Sequence, residues 1–198
     1  SDEANVLRWL QGKLKVPEIL MYDELNEMEF LITKEIEGTL LSNLIRKTHV
    51  SEIVKLYAEF ANEIHSINIC HCPFSQTIYD KMKQAKARID HKEISSSTFD
   101  VINKAYTPEA LFKYLEYSAP LCQHLVFTHG DLYMNNILVK NLQLAGIVDL
   151  ARGGCCDYHY DISIILHNID KYLGIEYQEL FLRYYKFSVN QDLIDYYW

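Results

Sequence analysis

Hydrophobic residues recur every three or four positions over several long segments, which is the spacing of an amphipathic helix. The longest such segment covers residues 51–67, and its apolar stripe consists of Ile53, Leu56, Tyr57, Phe60 and Ile64. The same spacing predicts three further helices, over residues 2–14, 78–91 and 107–118. Thr107 as N-cap and Pro108 at the first helical position favour the start of the last one. The chain is therefore predicted to be mostly helical.

The hydrophobic pattern changes in the centre of the chain, where short apolar runs replace the long stripes. These runs predict strands over residues 125–127, 136–140 and 144–150, and a further short strand within 29–38. Only residues 140–143 separate the second run from the third, so these two strands are predicted to form a hairpin. Antiparallel pairing brings the start of one strand beside the end of the next. Asn136 and Asp149 are therefore predicted to be neighbours.

Three polar residues at the ends of these apolar runs are candidates for chemistry. An amide oxygen from Asn136 and a carboxylate oxygen from Asp149 are the hard ligands that Mg²⁺ prefers. Asp131 follows the first apolar run and stands beside the predicted metal site as a candidate base. The spacing from Asp131 to Asn136, followed by a later Asp, is also that of the catalytic loop and metal ligands of protein kinases.

Composition and charge narrow the function classes. The chain has 198 residues, enough for one domain or two small ones, and 49% of them are hydrophobic. Its net charge of -8 argues against a general nucleic-acid or acidic-membrane binder. No apolar run approaches the ~20 residues of a membrane span, and no signal peptide is visible. We expect a cytoplasmic protein with no membrane or nucleic-acid partner.

The remaining cysteines, histidines and tyrosines carry no pattern that indicates a site. Five cysteines, including those of "CHCP" at 70–73, are predicted to be packing or surface thiols rather than zinc ligands, because no second pair stands at zinc spacing. His65 and His159 are predicted to be core or surface histidines, and Tyr185 a packing residue. The segment 92–100, "KEISSSTFD", is the best candidate for a mobile loop.

Two motifs resemble a known family. "HGDLYMNNILV" and "GIVDLARGGCCDYHYDI" resemble the paired signatures of the aminoglycoside phosphotransferase family, small-molecule kinases with a protein-kinase-like fold. "VLRWLQGKLKVPEIL" at 6–20 and "LYAEFANEIHSINICHCPF" at 56–74 are similar to the aminoglycoside 3'-phosphotransferases. The resemblance implies an α+β kinase-like fold, with a partial N-lobe and hinge over 1–37 and a helical C-lobe over 38–198.

The resemblance also implies roles for individual residues and for the ligands. It makes Asp131 the catalytic carboxylate and Asn136 and Asp149 the magnesium ligands, with ATP or GTP as the phosphoryl donor. It assigns supporting roles to His129, which braces the catalytic loop, to Asp161, which pins the loop backbone, and to Arg152, which pairs with a nearby carboxylate. It places Glu3 where the family pairs a glutamate with the phosphate-binding lysine, and Lys34 to Ile36 where the backbone binds adenine.

Two departures from the family leave alternatives open. Nothing in the chain resembles the Gly-rich phosphate loop or the lysine strand, so we expect this sequence to be a fragment of a longer protein, inactive by itself if nothing supplies those parts. Met134 stands where many members carry a second acid for a cationic substrate. An aminoglycoside is the leading substrate. Another small molecule, choline-, homoserine- or sugar-like, and a non-catalytic binding scaffold are the alternatives.

Overall fold

The computed structural model describes residues 2–26, 28–94, 106–121 and 123–198. Its helices are α1 (Asp2–Leu10), α2 (Val50–His65), α3 (Ile78–Asp90), α4 (Pro108–Tyr117), α5 (His159–Tyr172), α6 (Gln178–Tyr184) and α7 (Gln191–Tyr197). Its strands are β1 (Ile19–Leu25), β2 (Met28–Thr33), β3 (Thr39–Leu40), β4 (Leu125–Thr128), β5 (Ile137–Lys140), β6 (Gln143–Ile147) and β7 (Gly154–Asp157). The described part is thus a mainly helical α+β fold with small antiparallel sheets, as predicted.

Helix α1 ends at Leu10, four residues before the predicted end. Gly12 has a positive φ of 76°, a conformation that terminates a helix and that glycine adopts without strain. Leu14 lies beyond this turn but is still buried with Leu7 and Leu10 in the core. The apolar stripe was therefore read correctly as a buried face, although its last residue is not helical.

Strand β1 was not predicted. It pairs with β2 as an antiparallel hairpin, with Tyr22 opposite Leu31. Large apolar side chains on both strands are exposed: Leu20, Met21, Leu25, Met28, Phe30 and Ile32. Because these residues are not buried on one face, the hairpin lacks the alternation of apolar and polar positions that identifies a half-buried strand.

Helix α2 is the central packing element. It begins at Val50 and ends at His65, close to the predicted 51–67, and all five residues of the predicted stripe are buried. Its stripe packs in one core with β4, α5 and α6. Helices α3 and α4 also match their predictions, and the side chain of Thr107 accepts a hydrogen bond from the Ala110 N–H at 3.2 Å, as expected of an N-cap.

The predicted hairpin is present as β5 and β6, joined by Asn141 and Leu142. Both turn residues have positive φ, of 53° and 57°, as a two-residue type I′ turn requires. Strand β6 ends at Ile147, three residues before the predicted end. The chain turns away there because Asp149 adopts a φ of 61°, outside the range of an extended strand.

The other strands complete the small sheets. Strand β3 pairs with β5, and β4 pairs with β7. The sequence pattern predicted neither β3 nor β7. The described helices include none that could cross a membrane. Of the segment predicted to be a mobile loop, 95–100 lies outside the described residues, as does Cys122. The division at residue 37 stays a prediction.

Candidate active site

The catalytic-loop sequence begins where the buried strand β4 ends. β4 is held against β7, and the Thr128 hydroxyl donates a hydrogen bond to the Gly154 carbonyl at 2.9 Å. Gly130 then takes a φ of 82°, and a Cβ placed there would lie 2.5 Å from the Arg152 carbonyl oxygen. The conformation and the close approach both require glycine. This explains why Gly130 stands where protein kinases have an arginine.

His129 connects the loop to Val148, the residue before Asp149. Its Nδ1 accepts a hydrogen bond from the Asp131 N–H at 3.2 Å, so the ring proton is on Nε2. Nε2 then donates to the Val148 carbonyl at 2.9 Å. The completely buried ring therefore holds the backbone of Asp131 at a fixed distance from the segment before Asp149. This geometry fits the bracing role predicted for His129.

Two hydrogen bonds of Asn136 bring the three candidate residues together. Its side-chain Nδ2 donates to the Asp131 carbonyl at 2.9 Å, and its backbone carbonyl accepts from the Val148 N–H at 3.0 Å. Asp149 is the next residue after Val148. The sequence-based prediction that the hairpin makes Asn136 and Asp149 neighbours is thus confirmed for the backbone.

The donor set at this point suits a hard divalent cation. Because Nδ2 of Asn136 is engaged by the Asp131 carbonyl, the amide oxygen is the atom left for a cation. Asp149 is exposed and contributes carboxylate oxygens. Amide and carboxylate oxygens are the ligand types that Mg²⁺ takes from proteins, usually together with phosphates and water. The residues therefore fit the predicted metal, and their assignment as its ligands stays a prediction.

Asp161, on the first turn of α5, holds the catalytic loop by hydrogen bonds to its backbone. Its carboxylate accepts hydrogen bonds from the His129 N–H at 2.8 Å, the Gly130 N–H at 2.9 Å and the His65 Nε2 at 3.1 Å. Burial by itself would raise the pKa of this carboxyl. The hydrogen bond from His65, with smaller contributions from His129, outweighs that effect and lowers the pKa of Asp161. The geometry is that predicted for a residue pinning the loop backbone.

Arg152 lies close to the candidate base. Its guanidinium Nη1 is 3.9 Å from Oδ1 of Asp131, the side chain of Arg152 is 68% exposed and that of Asp131 is 29% exposed. An ion pair this long and this exposed adds little stability. It does place a positive charge beside the carboxylate, as the sequence comparison predicted.

Glu3 lies next to the chain segment that leaves β6 and contains Asp149. Its Oε1 accepts a hydrogen bond from the Leu150 N–H at 3.2 Å, directly after Asp149. Helix α1 is held there because Trp9 stacks on Phe127 of β4, with ring centroids 5.3 Å apart. Glu3 was predicted to stand where the family pairs a glutamate with the phosphate-binding lysine, and that role stays a prediction.

Lys34 and Ile36 lie on the irregular segment between β2 and β3. The ammonium of Lys34 is directed to Glu18, at 3.7 Å, and both side chains are largely exposed. Ile36 packs against Gly146 of β6, where an added Cβ would lie 2.4 Å from its Cδ1. Among the described residues, none hydrogen-bonds to the N–H of Ile36 or to the carbonyl of Lys34. The predicted adenine-binding backbone is therefore free to bind a base edge.

The sequence analysis missed three residues that support the site. Tyr57, completely buried in α2, donates a hydrogen bond from its hydroxyl to the Leu132 carbonyl in the catalytic loop. His65 and Tyr185 form a buried line that ends on Asp161. His65 falls four places from Ala61 on the apolar face of α2, and a histidine on such a face was the signal available. Sequence spacing could not say what it contacts.

A second polar cluster lies at the far end of β7. Ligand atoms of His124, Asp157 and His159 lie within 4.8 Å of one another. However, Nε2 of His159 accepts the Asn190 N–H at 3.0 Å, so its Nδ1 carries the proton that bonds Asp157 at 2.6 Å. Both ring nitrogens of His159 are thus engaged, and the His124 Nδ1 lies 3.8 Å from Asp157, beyond hydrogen-bond distance. We assign this cluster to packing of the β7–α5 junction.

Comparisons with known proteins agree with this geometry. The sequence profile of the phosphotransferase enzyme family matches residues 1–195. An aminoglycoside 3'-phosphotransferase from Niallia circulans is 33% identical over 199 residues, covering 98% of this chain and 75% of the relative.

Solved structures share the fold. The crystal structure of an aminoglycoside-3'-phosphotransferase of type VIII superposes with a TM-score of 0.86 at 22% identity, over 99% of this chain and 77% of that one. A Streptomyces rimosus aminoglycoside phosphotransferase in complex with ADP and streptomycin gives a TM-score of 0.79 at 20% identity, over 99% and 78% of the two chains. The chain therefore belongs to the phosphotransferase enzyme family and is a kinase-like O-phosphotransferase.

Proposed function

We propose that the protein transfers the γ-phosphoryl group of ATP to a hydroxyl of an aminoglycoside, and that this confers resistance to the antibiotic. The observation that carries the proposal is the pair of hydrogen bonds by which Asn136 joins Asp131 to the segment of Asp149. The names of the relatives at about a third identity support the aminoglycoside as acceptor.

In this proposal Asp131 orients the attacking hydroxyl and accepts its proton on a carboxylate oxygen. Its backbone is fixed from both sides, because its N–H donates to His129 and its carbonyl accepts from Asn136. A fixed base lowers the entropic cost of aligning acceptor and phosphate. Arg152, 3.9 Å away, places a positive charge beside the carboxylate.

Asn136 and Asp149 would hold Mg²⁺. When bound, the ion offsets the charge of the phosphates and holds the γ-phosphate in line with the hydroxyl. The left-handed backbone of Asp149, with a φ of 61°, directs the chain out of β6 just where this ligand is needed. Asparagine and aspartate adopt that conformation more readily than other non-glycine residues.

The nucleotide would lie between the segment before β3 and the catalytic loop. The free backbone groups of Lys34 and Ile36 support an adenine site there, with residues 1–37 forming the nucleotide side and 38–198 the acceptor side. Glu3 would complete the phosphate side, since it is already tied to the residue after Asp149. The same backbone groups would also accept guanine in another register, so ATP and GTP must be compared directly.

The acceptor would be a cation. The net charge of -8 favours encounter with a polyamine, and Asp131 is the central negative group of the site. Met134 does not line the site as an acid would, because its side chain is 2% exposed and packs in the core. Fewer carboxylates near Asp131 predict weaker dependence on the number of substrate amines.

The direct test compares the wild-type protein with Asp131→Asn, a change that leaves the backbone hydrogen bonds in place. We expect kcat to fall about 100- to 10,000-fold with the melting temperature unchanged. Kanamycin B and its 3'-deoxy analogue tobramycin serve as matched acceptors, with choline, homoserine and a simple sugar as alternatives. Undiminished turnover by the variant would contradict the role of Asp131. Turnover of tobramycin equal to that of kanamycin B would show that the acceptor is a hydroxyl other than the 3'-hydroxyl, which tobramycin lacks.

Resistance is tested in cells. Expression of the wild-type protein should raise the kanamycin concentration that inhibits growth, and expression of Asp131→Asn should not. Equal growth of the two strains at every kanamycin concentration would contradict the proposed role.

A further inference from the structure

A buried line of three polar side chains lies behind the catalytic loop. The Tyr185 hydroxyl is 2.6 Å from Nδ1 of His65, and Nε2 of His65 is 3.1 Å from Oδ2 of Asp161. The His65 and Asp161 side chains are both 0% exposed, and Tyr185 is buried as well. The three residues come from α2, α5 and the end of α6, so they meet only in the folded protein.

The hydrogen bonds of this line have one consistent direction. The Asp161 carboxylate can only accept, so His65 must carry its proton on Nε2. A neutral ring then leaves Nδ1 as an acceptor, which the Tyr185 O–H fills. The tyrosine thus selects the histidine tautomer that donates to Asp161, just as second partners fix metal-bound and catalytic histidines.

Asp161 transmits this order to the catalytic loop. Its Oδ1 accepts the Gly130 N–H, and its Oδ2 accepts both the His129 N–H and the His65 proton. These two amides precede Asp131 directly. A small displacement of this carboxylate would therefore shift the backbone from which the Asp131 side chain projects.

We propose that His65 and Tyr185 are positioning residues for phosphoryl transfer, acting through Asp161 on the backbone that presents Asp131. The inference rests on the proposed role of Asp131 as the base. His65 does not touch a reacting group, so its loss should lower kcat and leave KM for the aminoglycoside nearly unchanged. A displacement of about 1 Å in a reacting group can cost on the order of 100-fold in rate.

The surroundings of Asp161 predict how the line affects pH dependence. Among the described residues, the titratable groups close enough to interact electrostatically with this carboxylate when ionised are His65 and Tyr57 from α2, Lys81 from α3, His129 from the loop, Cys156 from β7, Tyr160 from α5 and Tyr185. His65 makes the largest contribution that lowers the pKa of Asp161. Its removal should raise that pKa, so the acid limb of the kcat–pH profile should move to higher pH.

The kinetic test uses three variants and one control. His65→Leu removes the donor, His65→Gln retains an N–H near the Nε2 position, and Tyr185→Phe removes only the hydroxyl that selects the tautomer. Tyr158→Phe is the control, because Tyr158 belongs to the same aromatic cluster but donates instead to the Ser188 carbonyl. We expect kcat to fall about 10- to 100-fold in His65→Leu, less in Tyr185→Phe, and to recover in His65→Gln.

The pH profile separates positioning from packing. The acid limb should shift upward in His65→Leu and return in His65→Gln, whereas Tyr158→Phe should match the wild type. If His65→Leu does not fold, Tyr185→Phe carries the test, since it keeps the buried ring. The proposal is overturned if His65→Leu, His65→Gln and Tyr185→Phe all have the kcat of the wild type and an unshifted pH profile. It is also overturned by a change confined to KM.

Amide hydrogen exchange tests the line without any activity. The His129 and Gly130 amides should exchange at least about 10-fold faster in His65→Leu than in the wild type, while the Phe127 amide of β4 should not change. If all three amides exchange as slowly in His65→Leu as in the wild type, the inference is overturned, even in an active enzyme. If the wild-type protein is inactive when assayed at its full length but shows the expected exchange pattern, the proposed function is contradicted and the positioning of the loop stands.

Discussion

Replacement of Asp161 by asparagine should destabilise the protein by about 3 kcal/mol. The carboxylate accepts three buried hydrogen bonds, from the His129 and Gly130 amides and from His65. The amide group of asparagine has one accepting oxygen, so its NH₂ must face at least one of these backbone donors. An orphaned buried N–H costs about 1–3 kcal/mol, and the remaining hydrogen bonds lose their charge assistance.

Thermal unfolding measures this change directly. For a chain of 198 residues, a loss of 3 kcal/mol corresponds to a drop in Tm of roughly 6–12 °C. Asp157→Asn is a useful comparison, because this buried carboxylate also accepts three hydrogen bonds, from the His124 and His159 amides and from the His159 ring, and does not bond the catalytic loop. Only Asp161→Asn should couple the lower Tm to faster exchange of the Gly130 amide.

The pH dependence provides a second, independent check. The pKa of Asp161 is lower in the folded protein than the value of about 3.9 for an unfolded chain. Its stabilisation is therefore fully present above that unfolded value and is lost as pH falls through the folded pKa. The stability difference between wild type and variant should be constant above pH ~5 and shrink below pH ~4. A variant within 1 kcal/mol of the wild type at pH 7 would refute the reasoning.

Three further substitutions, and one control, test other parts of the site. Gly130→Ala should lower kcat at least about 10-fold, because its Cβ would lie 2.5 Å from a backbone oxygen. Gly12→Ala is the control: Gly12 also has a positive φ, but no atom of the described residues lies near its added Cβ, so the change should cost about 1 kcal/mol of stability and no activity. Kinetics and thermal melts measure the two effects. Gly146→Ala should displace Ile36 and raise KM for ATP several-fold with KM for the aminoglycoside unchanged; an unchanged KM for ATP would contradict the adenine site. Asp149→Asn should keep Tm but weaken magnesium-dependent nucleotide binding about 10-fold or more by calorimetry, and equal binding would exclude Asp149 as a ligand.

Most helices were predictable because their information is local. An apolar stripe at helical spacing predicted the buried face of α2, and Thr107 predicted the start of α4. The end of α1 was wrong because one glycine with positive φ terminates the helix, while the apolar spacing continues beyond it. Spacing identifies which residues are buried, and it does not identify where the backbone stops being helical.

The strands were less predictable. The β5–β6 hairpin was found because two apolar runs stand a turn apart, but β1, β3 and β7 were missed. Strand β7 consists of Gly154 to Asp157, which has little strand preference of its own. It is a strand because its backbone pairs with β4, so this element depends on the tertiary structure.

The sequence by itself predicted the candidate site of this protein. The order and spacing of Asp131, Asn136 and Asp149 predicted a magnesium site beside a base, because a hairpin brings its two ends together without help from distant parts of the chain. The resemblance to the aminoglycoside phosphotransferase family implied the kinase-like fold. Only the tertiary structure decided how the base is held. His65 and Tyr185 are 120 residues apart, and His65 and Asp161 are 96 apart. Such partners are selected by which helices pack together, and one sequence without its fold contains no local record of that packing.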